Sequence, residues 1–161
     1  MNGVRPAQHP TALKVQRELG DAFEVLEFPE GTRSAVDAAA AVGVDVAQIV
    51  KSLVFRAADD RPVIAYVSGA NRADENRLSG LAGTPLSKAD AHFVRNTTGF
   101  AIGGVSPARR IEGALTFIDS DLAALGELWA AAGTPTAVFR LTFGDLQRLT
   151  GGKVADIALR A

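Results

Sequence analysis

The stretch Gln48-Ile49-Val50-Lys51-Ser52-Leu53-Val54-Phe55, followed by Ala57-Ala58-Asp59-Asp60 and then by Pro62-Val63-Ile64-Ala65-Tyr66-Val67, decides the fold. Its two apolar runs are rich in β-branched and aromatic residues, which suit a pleated surface. The polar segment between them suits a hairpin-type connection. Residues 51–55 and 62–67 are therefore predicted as adjacent strands. Ser68-Gly69-Ala70-Asn71 breaks the second one. Alternation along the first strand puts Lys51, Leu53 and Phe55 on one face and Val50, Ser52 and Val54 on the other.

Toward the N-terminus, residues 10–19 read as an amphipathic helix stopped by Gly20. Phe23, Val25 and Phe28 alternate with Glu24 and Glu27, the pattern of a half-buried strand, and Pro29-Glu30-Gly31 reads as a turn. Ser34 is a candidate cap for an alanine-rich helix over 35–42, with Asp37 in its first turn and Gly43 as its stop. Asp45 is a candidate cap for a short turn through Ile49.

Toward the C-terminus, helices are predicted over 74–81 and 88–95, and residues 99–107 are irregular but apolar. A strand over 115–118 precedes a turn or cap at Asp119-Ser120-Asp121. Residues 122–132 fit either a helix or a strand. A strand over 136–141 leads into a helix over 142–149, where Thr142 and Asp145 form a capping box with Asp in the place of Glu. Strands and helices alternate irregularly. The expected fold is thus an α/β (α+β) domain spanning 1–161, with a mixed sheet and flanking helices rather than a doubly wound one.

Composition narrows the function. The chain has 161 residues, 47% hydrophobic and 22% charged, within the range of ordinary globular domains. It has no cysteine, which excludes a disulfide framework, a thiolate metal site and a cysteine nucleophile. No apolar run is long enough to span a bilayer and residues 1–10 hold no apolar signal segment, so a cytoplasmic protein without a membrane partner is expected. A formal net charge of −1 disfavours a duplex DNA binder, which needs many phosphate contacts. His9 and His92 are too few for a convincing metal set, and both read as surface residues. No nucleophile elbow, phosphate-binding loop or catalytic triad is present.

Two features remain. In Thr97-Thr98-Gly99-Phe100-Ala101-Ile102-Gly103-Gly104-Val105-Ser106-Pro107, paired glycines let the backbone approach a ligand. Pro107 biases Ser106 toward an extended conformation. Such a loop either simply connects two strands or points several N–H groups into one concavity, where an anion or an oxyanion binds. Lys51 either snorkels outward at its strand end or reaches into a pocket, since it shares a face with Leu53 and Phe55. Arg72, Arg77, Arg95, Arg109 and Arg110 lie near these elements in sequence. Arg109 and Arg110 adjoin the loop and are the better candidates for phosphate contact.

The chain resembles the YbaK and prolyl-tRNA editing family of aminoacyl-tRNA deacylases. Ala38-Ala39-Ala40-Ala41-Val42-Gly43-Val44 is similar to the family's alanine-rich helix and its stop. The strand from Gln48 to Phe55 is similar to the one bearing its essential lysine. Ser68-Gly69-Ala70-Asn71-Arg72-Ala73-Asp74 follows its post-strand turn. The G-x-x-x-P spacing from Gly103 to Pro107 is similar to its hallmark loop, and Phe143-Gly144-Asp145-Leu146 through Asp156-Ile157-Ala158 also fits.

The resemblance implies a compact domain with a largely antiparallel sheet and hydrolysis of the ester between an amino acid and the terminal ribose of tRNA, without metal or organic cofactor. It carries over Lys51 as the critical cation and the backbone of Gly103, Gly104, Val105 and Ser106 as the loop that holds the aminoacyl group. Phe28, Phe100, Ile102 and Val105 are expected either as walls of the substrate pocket or as core residues, and Ser52, Pro107 and Arg109 as further substrate contacts. Many members have a serine and paired glycines where this chain reads Ala131-Ala132-Gly133-Thr134-Pro135, and some have a tyrosine near Phe28. These departures point away from the cysteine-specific branch toward another small amino acid. The expected partner is the acceptor end of a mischarged tRNA, with prolyl tRNA carrying alanine as the first expectation and a synthetase as a further partner. The alternative is a module that binds an acceptor end or a small ligand without hydrolysis.

Overall fold

In a computed structural model of the protein, residues 3–29, 32 and 34–160 are described. The central hairpin forms as the sequence predicts. Strand β3 (Ile49–Ala57) pairs antiparallel with β4 (Pro62–Ser68), from Val50 opposite Ser68 to Arg56 opposite Pro62. All seven residues of β4 are buried, because both faces of this strand are covered.

The sheet is completed by β1 (Arg5–Pro6), β2 (Val25–Glu27), β6 (Leu86–Lys88), β7 (Leu115–Asp119), β8 (Leu128–Ala131), β9 (Ala137–Leu141) and β10 (Lys153–Ala155). The strand order is β1-β2-β9-β8-β3-β4-β7-β10, with β6 branching off β3. Three junctions are parallel, β3 with β8, β4 with β7 and β7 with β10, and the others are antiparallel. The sheet is therefore mixed and largely antiparallel. A separate ribbon joins β5 (Asn71–Ala73) to β11 (Ala158–Arg160).

Helices α1 (Pro10–Leu19), α2 (Ala35–Val42), α3 (Glu75–Ala82), α4 (Ala91–Thr98) and α5 (Phe143–Thr150) flank the sheet. Local chemistry sets their ends. Ser34, Asp74, Asp90 and Thr142 each accept a hydrogen bond from the backbone N–H three residues on, and α2 to α5 each stop at a left-handed glycine. The Thr142–Asp145 capping box is present. Asp45 caps a single 3-10 turn over Val46–Gln48.

Three expectations change. The helix predicted over 88–95 begins later, because Lys88 pairs with Phe55 in β6 and Asp90 caps α4 through Phe93 N–H. The ambiguous stretch 122–132 divides into the end of a 3-10 turn (Ser120–Ala124) and strand β8. Glu27 was expected on a solvated face and is only 6% exposed. Its carboxylate accepts from the N–H groups of Gln8 and His9 and pairs with Arg5, because β1 and the start of α1 fold over it. His9 is exposed, as expected of a surface residue, and its Nδ1 accepts from Thr11 N–H to cap α1. The expected turn at Glu30 and Gly31 lies outside the described residues.

Candidate active site

Lys51 is half-buried on β3, in the wall of a cavity of about 270 Å³. Phe28, Ile49, Trp129, Gly103 and Pro135 form other parts of that wall. A smaller chamber of about 160 Å³ adjoins it, between residues 52–55, Val94, Ile102 and Val105. Ser52, Leu53 and Gly103 belong to both.

The fold holds the lysine from behind. Lys51 Nζ donates to the backbone carbonyl of Asn71, just past the turn that ends β4. The Asn71 amide donates to Asp119 at 2.9 Å and to Asp121 at 2.8 Å. Asp119 is fully buried and also accepts from Ser68 N–H and Asp121 N–H. Arg160 binds both Asp121 and Asp156, which ties β11 into the same knot. Burial pushes the Lys51 ammonium below the ordinary lysine value; the nearby Arg72 charge adds to this and Asp119 opposes it.

The loop has a definite internal architecture. Gly104 N–H donates to the Ala101 carbonyl at 2.9 Å, closing a tight turn. Gly103 stands at the third position with φ +82°, which a type II turn demands there. No acceptor among the described residues is paired with the Gly103 N–H. Gly104 serves a different purpose from its neighbour. A Cβ there would lie 2.7 Å from the Gly133 carbonyl oxygen and 2.8 Å from Thr134 Cα, so its missing side chain lets two backbones touch. That contact seats the loop on the segment leading to Pro135.

The sequence-derived candidates thus divide. Lys51, Ser52, Phe28 and Gly103 meet at the larger cavity, and Ile102 and Val105 join Ser52 and Gly103 at the smaller one. Phe100 is buried in the core instead. Ser106 is buried, and its hydroxyl accepts from Ala108 N–H across Pro107, which is buried too. The Arg109 guanidinium lies over the Phe100 ring at 4.3 Å and makes two bonds to Glu18, at 2.7 and 2.9 Å. It is neutralised by a carboxylate rather than left open for phosphate. Arg110 lies against Gly151. Among the described residues, no three histidine, cysteine or acidic side chains stand together as a metal site, and no helix is long and apolar enough to cross a membrane.

Trp129, Pro135 and the Asn71–Asp119 pair escape a reading of the sequence. Trp129 sits in the stretch whose periodicity fits helix and strand alike. The turn at Ser68-Gly69-Ala70-Asn71 is visible in the sequence, but its contact with Lys51 exists only once β5 folds back.

Lys51 and the glycine turn at Gly103 thus border one cleft of a mixed sheet. Comparison with known proteins identifies the family. The aminoacyl-tRNA editing domain family matches residues 29–149, and the chain belongs to that family. A candidate trans-editing enzyme for prolyl tRNA synthetase has a crystal structure that superposes with a TM-score of 0.86, at 43% identity over 95% of this chain and 99% of its own. A protein solved in work on computational epitope grafting onto scaffolds is 40% identical, with a TM-score of 0.88 over 96% of this chain and 100% of its own. The uncharacterized protein YwhH of Bacillus subtilis is 26% identical over 131 residues, 81% of this chain and 83% of its own.

Proposed function

We propose that the protein is a trans-acting deacylase that hydrolyses the ester of a mischarged tRNA, with prolyl tRNA carrying alanine or another small amino acid as substrate. The observation that carries this reading is that Lys51 and Gly103 line one cavity. Membership of the editing family and the likeness to a candidate editing enzyme for prolyl tRNA synthetase support it.

An aminoacyl ester beside a free ribose hydroxyl is already reactive. Catalysis then consists of positioning water or that hydroxyl and stabilising the negative charge that develops on the carbonyl oxygen. Lys51 supplies a fixed positive charge and the Gly103 N–H a fixed dipole. Gly104 N–H, committed to Ala101, does not take part. Specificity by size follows from a small second site that hydrolyses what fits, since one methylene is worth only about 1–3 kcal/mol in a single pocket.

The test is a panel of mischarged tRNAs with wild type and Lys51→Ala. Deacylation is expected for the small mischarged residue and a loss of at least about 10²-fold in the variant. Near-normal turnover by a folded Lys51→Ala protein sinks the assignment. Tight acceptor-end binding with no acceleration of ester loss makes the protein a binding module instead.

A further inference from the structure

The outer edge of β3 is interrupted. β8 pairs with it only at Ile49 and Val50, and β6 only from Phe55 to Ala57. Among the described residues, no strand pairs with Ser52 on that side. The phase of the ladder identifies the groups left open. Gly69 N–H donates to the Ile49 carbonyl, and Ala57 N–H donates to the Arg61 carbonyl. Odd-numbered residues of β3 therefore exchange hydrogen bonds with β4, and even-numbered ones turn their N–H and C=O the other way. Ser52, opposite Tyr66, presents both backbone groups to the interruption.

Its side chain also lacks a partner. The Ser52 hydroxyl is buried and has no hydrogen-bond partner among the described residues. The hydroxyl is thus unsatisfied, and no strand pairs with the two backbone groups of the same residue, in the wall common to both cavities. Folded proteins rarely leave such groups without a protein, water or ligand partner.

We propose that this interruption is the seat of the aminoacyl group, with Ser52 pairing with it as one strand residue pairs with another. Ser52 N–H donates to the acyl carbonyl oxygen, and the Ser52 C=O accepts from the α-amino group. In an antiparallel ladder, one residue exchanges both bonds with the residue opposite. An α-amino acyl group carries the same donor and acceptor on either side of one Cα. Extended peptides add to free sheet edges by the same pairing. The hydroxyl stands beside these groups and accepts a further amine hydrogen. Lys51 does not occupy the seat, because alternation sends its side chain to the other face of β3 and Nζ is bound to Asn71. The smaller chamber takes the substrate side chain, and its walls at Val54, Val94, Ile102 and Val105 carry no charge. The substrate class is an α-amino acyl ester with a short, uncharged side chain.

The seat takes its substrate from the deacylase reading, and the test separates the two. RNA minihelices with a tRNA acceptor end are esterified with alanine or with propionic acid, which is similar in size and lacks the amino group. Hydrolysis is expressed as acceleration over each ester's spontaneous rate. Acceleration of the alanyl ester is expected to exceed that of the propionyl ester about tenfold or more. Equal acceleration overturns the seat and leaves the deacylase reading intact. Ser52→Ala is expected to keep or raise the Tm, since it removes an unsatisfied hydroxyl, while it narrows the alanyl preference several-fold. A loss equal for both esters overturns the role of the hydroxyl. Non-hydrolysable 3′-amide adenosines bearing alanyl or propionyl groups give a binding readout by calorimetry. Preferential binding of the alanyl amide by a protein that hydrolyses neither ester upholds the seat and removes the deacylase reading. No preference in that case overturns both.

Discussion

Lys51 owes its properties to neighbours on three elements: Val67 on β4, Asn71 and Arg72 on β5 and Asp119 at the end of β7. If the charged ammonium does the work, acceleration of ester loss falls as pH rises through its lowered value, on the acid side of the ordinary 10.5. Arg72 lowers that value, so Arg72→Met moves the fall to higher pH in a pH–rate profile. A profile that instead rises through this region makes Lys51 a base. Glu27 illustrates the opposite case. Burial pushes its carboxyl up, but the N–H groups of His9 and Gln8 and the Arg5 charge more than offset this and hold it below 4.5. A depressed folded value contributes stability that is present above the unfolded value and lost as pH falls through the folded one. Glu27→Gln is therefore expected to cost about 1–3 kcal/mol at neutral pH and to flatten the acid limb of stability, read by urea unfolding between pH 3 and 7.

At the scale of elements, the glycine turn and α5 make contrasting predictions. Gly104→Ala drives a Cβ into the Gly133–Thr134 backbone, where no flexible side chain can yield. It is expected to destabilise the fold by about 1–3 kcal/mol and to displace the loop, lowering activity more than its stability loss explains. Parallel denaturant and deacylation measurements check this. Thr142→Ala removes the cap of α5, far from the site, and is expected to cost about 1 kcal/mol in urea unfolding with activity unchanged. The capping signals at Ser34 and Thr142 were legible because each acts over three residues. Asp90 was obscured because Lys88 and the helix that follows share a polar pattern, and only pairing with Phe55 assigns Lys88 to a strand.

For the molecule as a whole, β3 and β4 form the spine. Ile64 is fully buried in the middle of β4, flanked by Val54 on β3 and Thr116 on β7. Ile64→Ala is expected to lower stability by about 2–5 kcal/mol in a single cooperative transition, seen as a shifted urea midpoint with an unchanged slope. The same spine creates the cleft. β8 and β6 approach the outer edge of β3 from opposite ends and leave Ser52 between them, so the cleft is a gap in the sheet rather than an added feature.

Some of this was set by the sequence alone. The alternating runs around Lys51, the helix caps and stops, and the spacing of Gly103 and Pro107 follow from interactions a few residues long, which strand and helix periodicity expose. The resemblance to editing domains rests on these same stretches. Tertiary structure alone decided that Glu27 is buried, that Arg109 is neutralised by Glu18, and that Gly104 contacts protein backbone while Gly103 faces the cavity. It also decided that Asn71 holds Lys51 and that Ser52 lies on an open edge. Each depends on groups from distant parts of the chain meeting, or failing to meet, and such pairings leave no periodic trace in sequence.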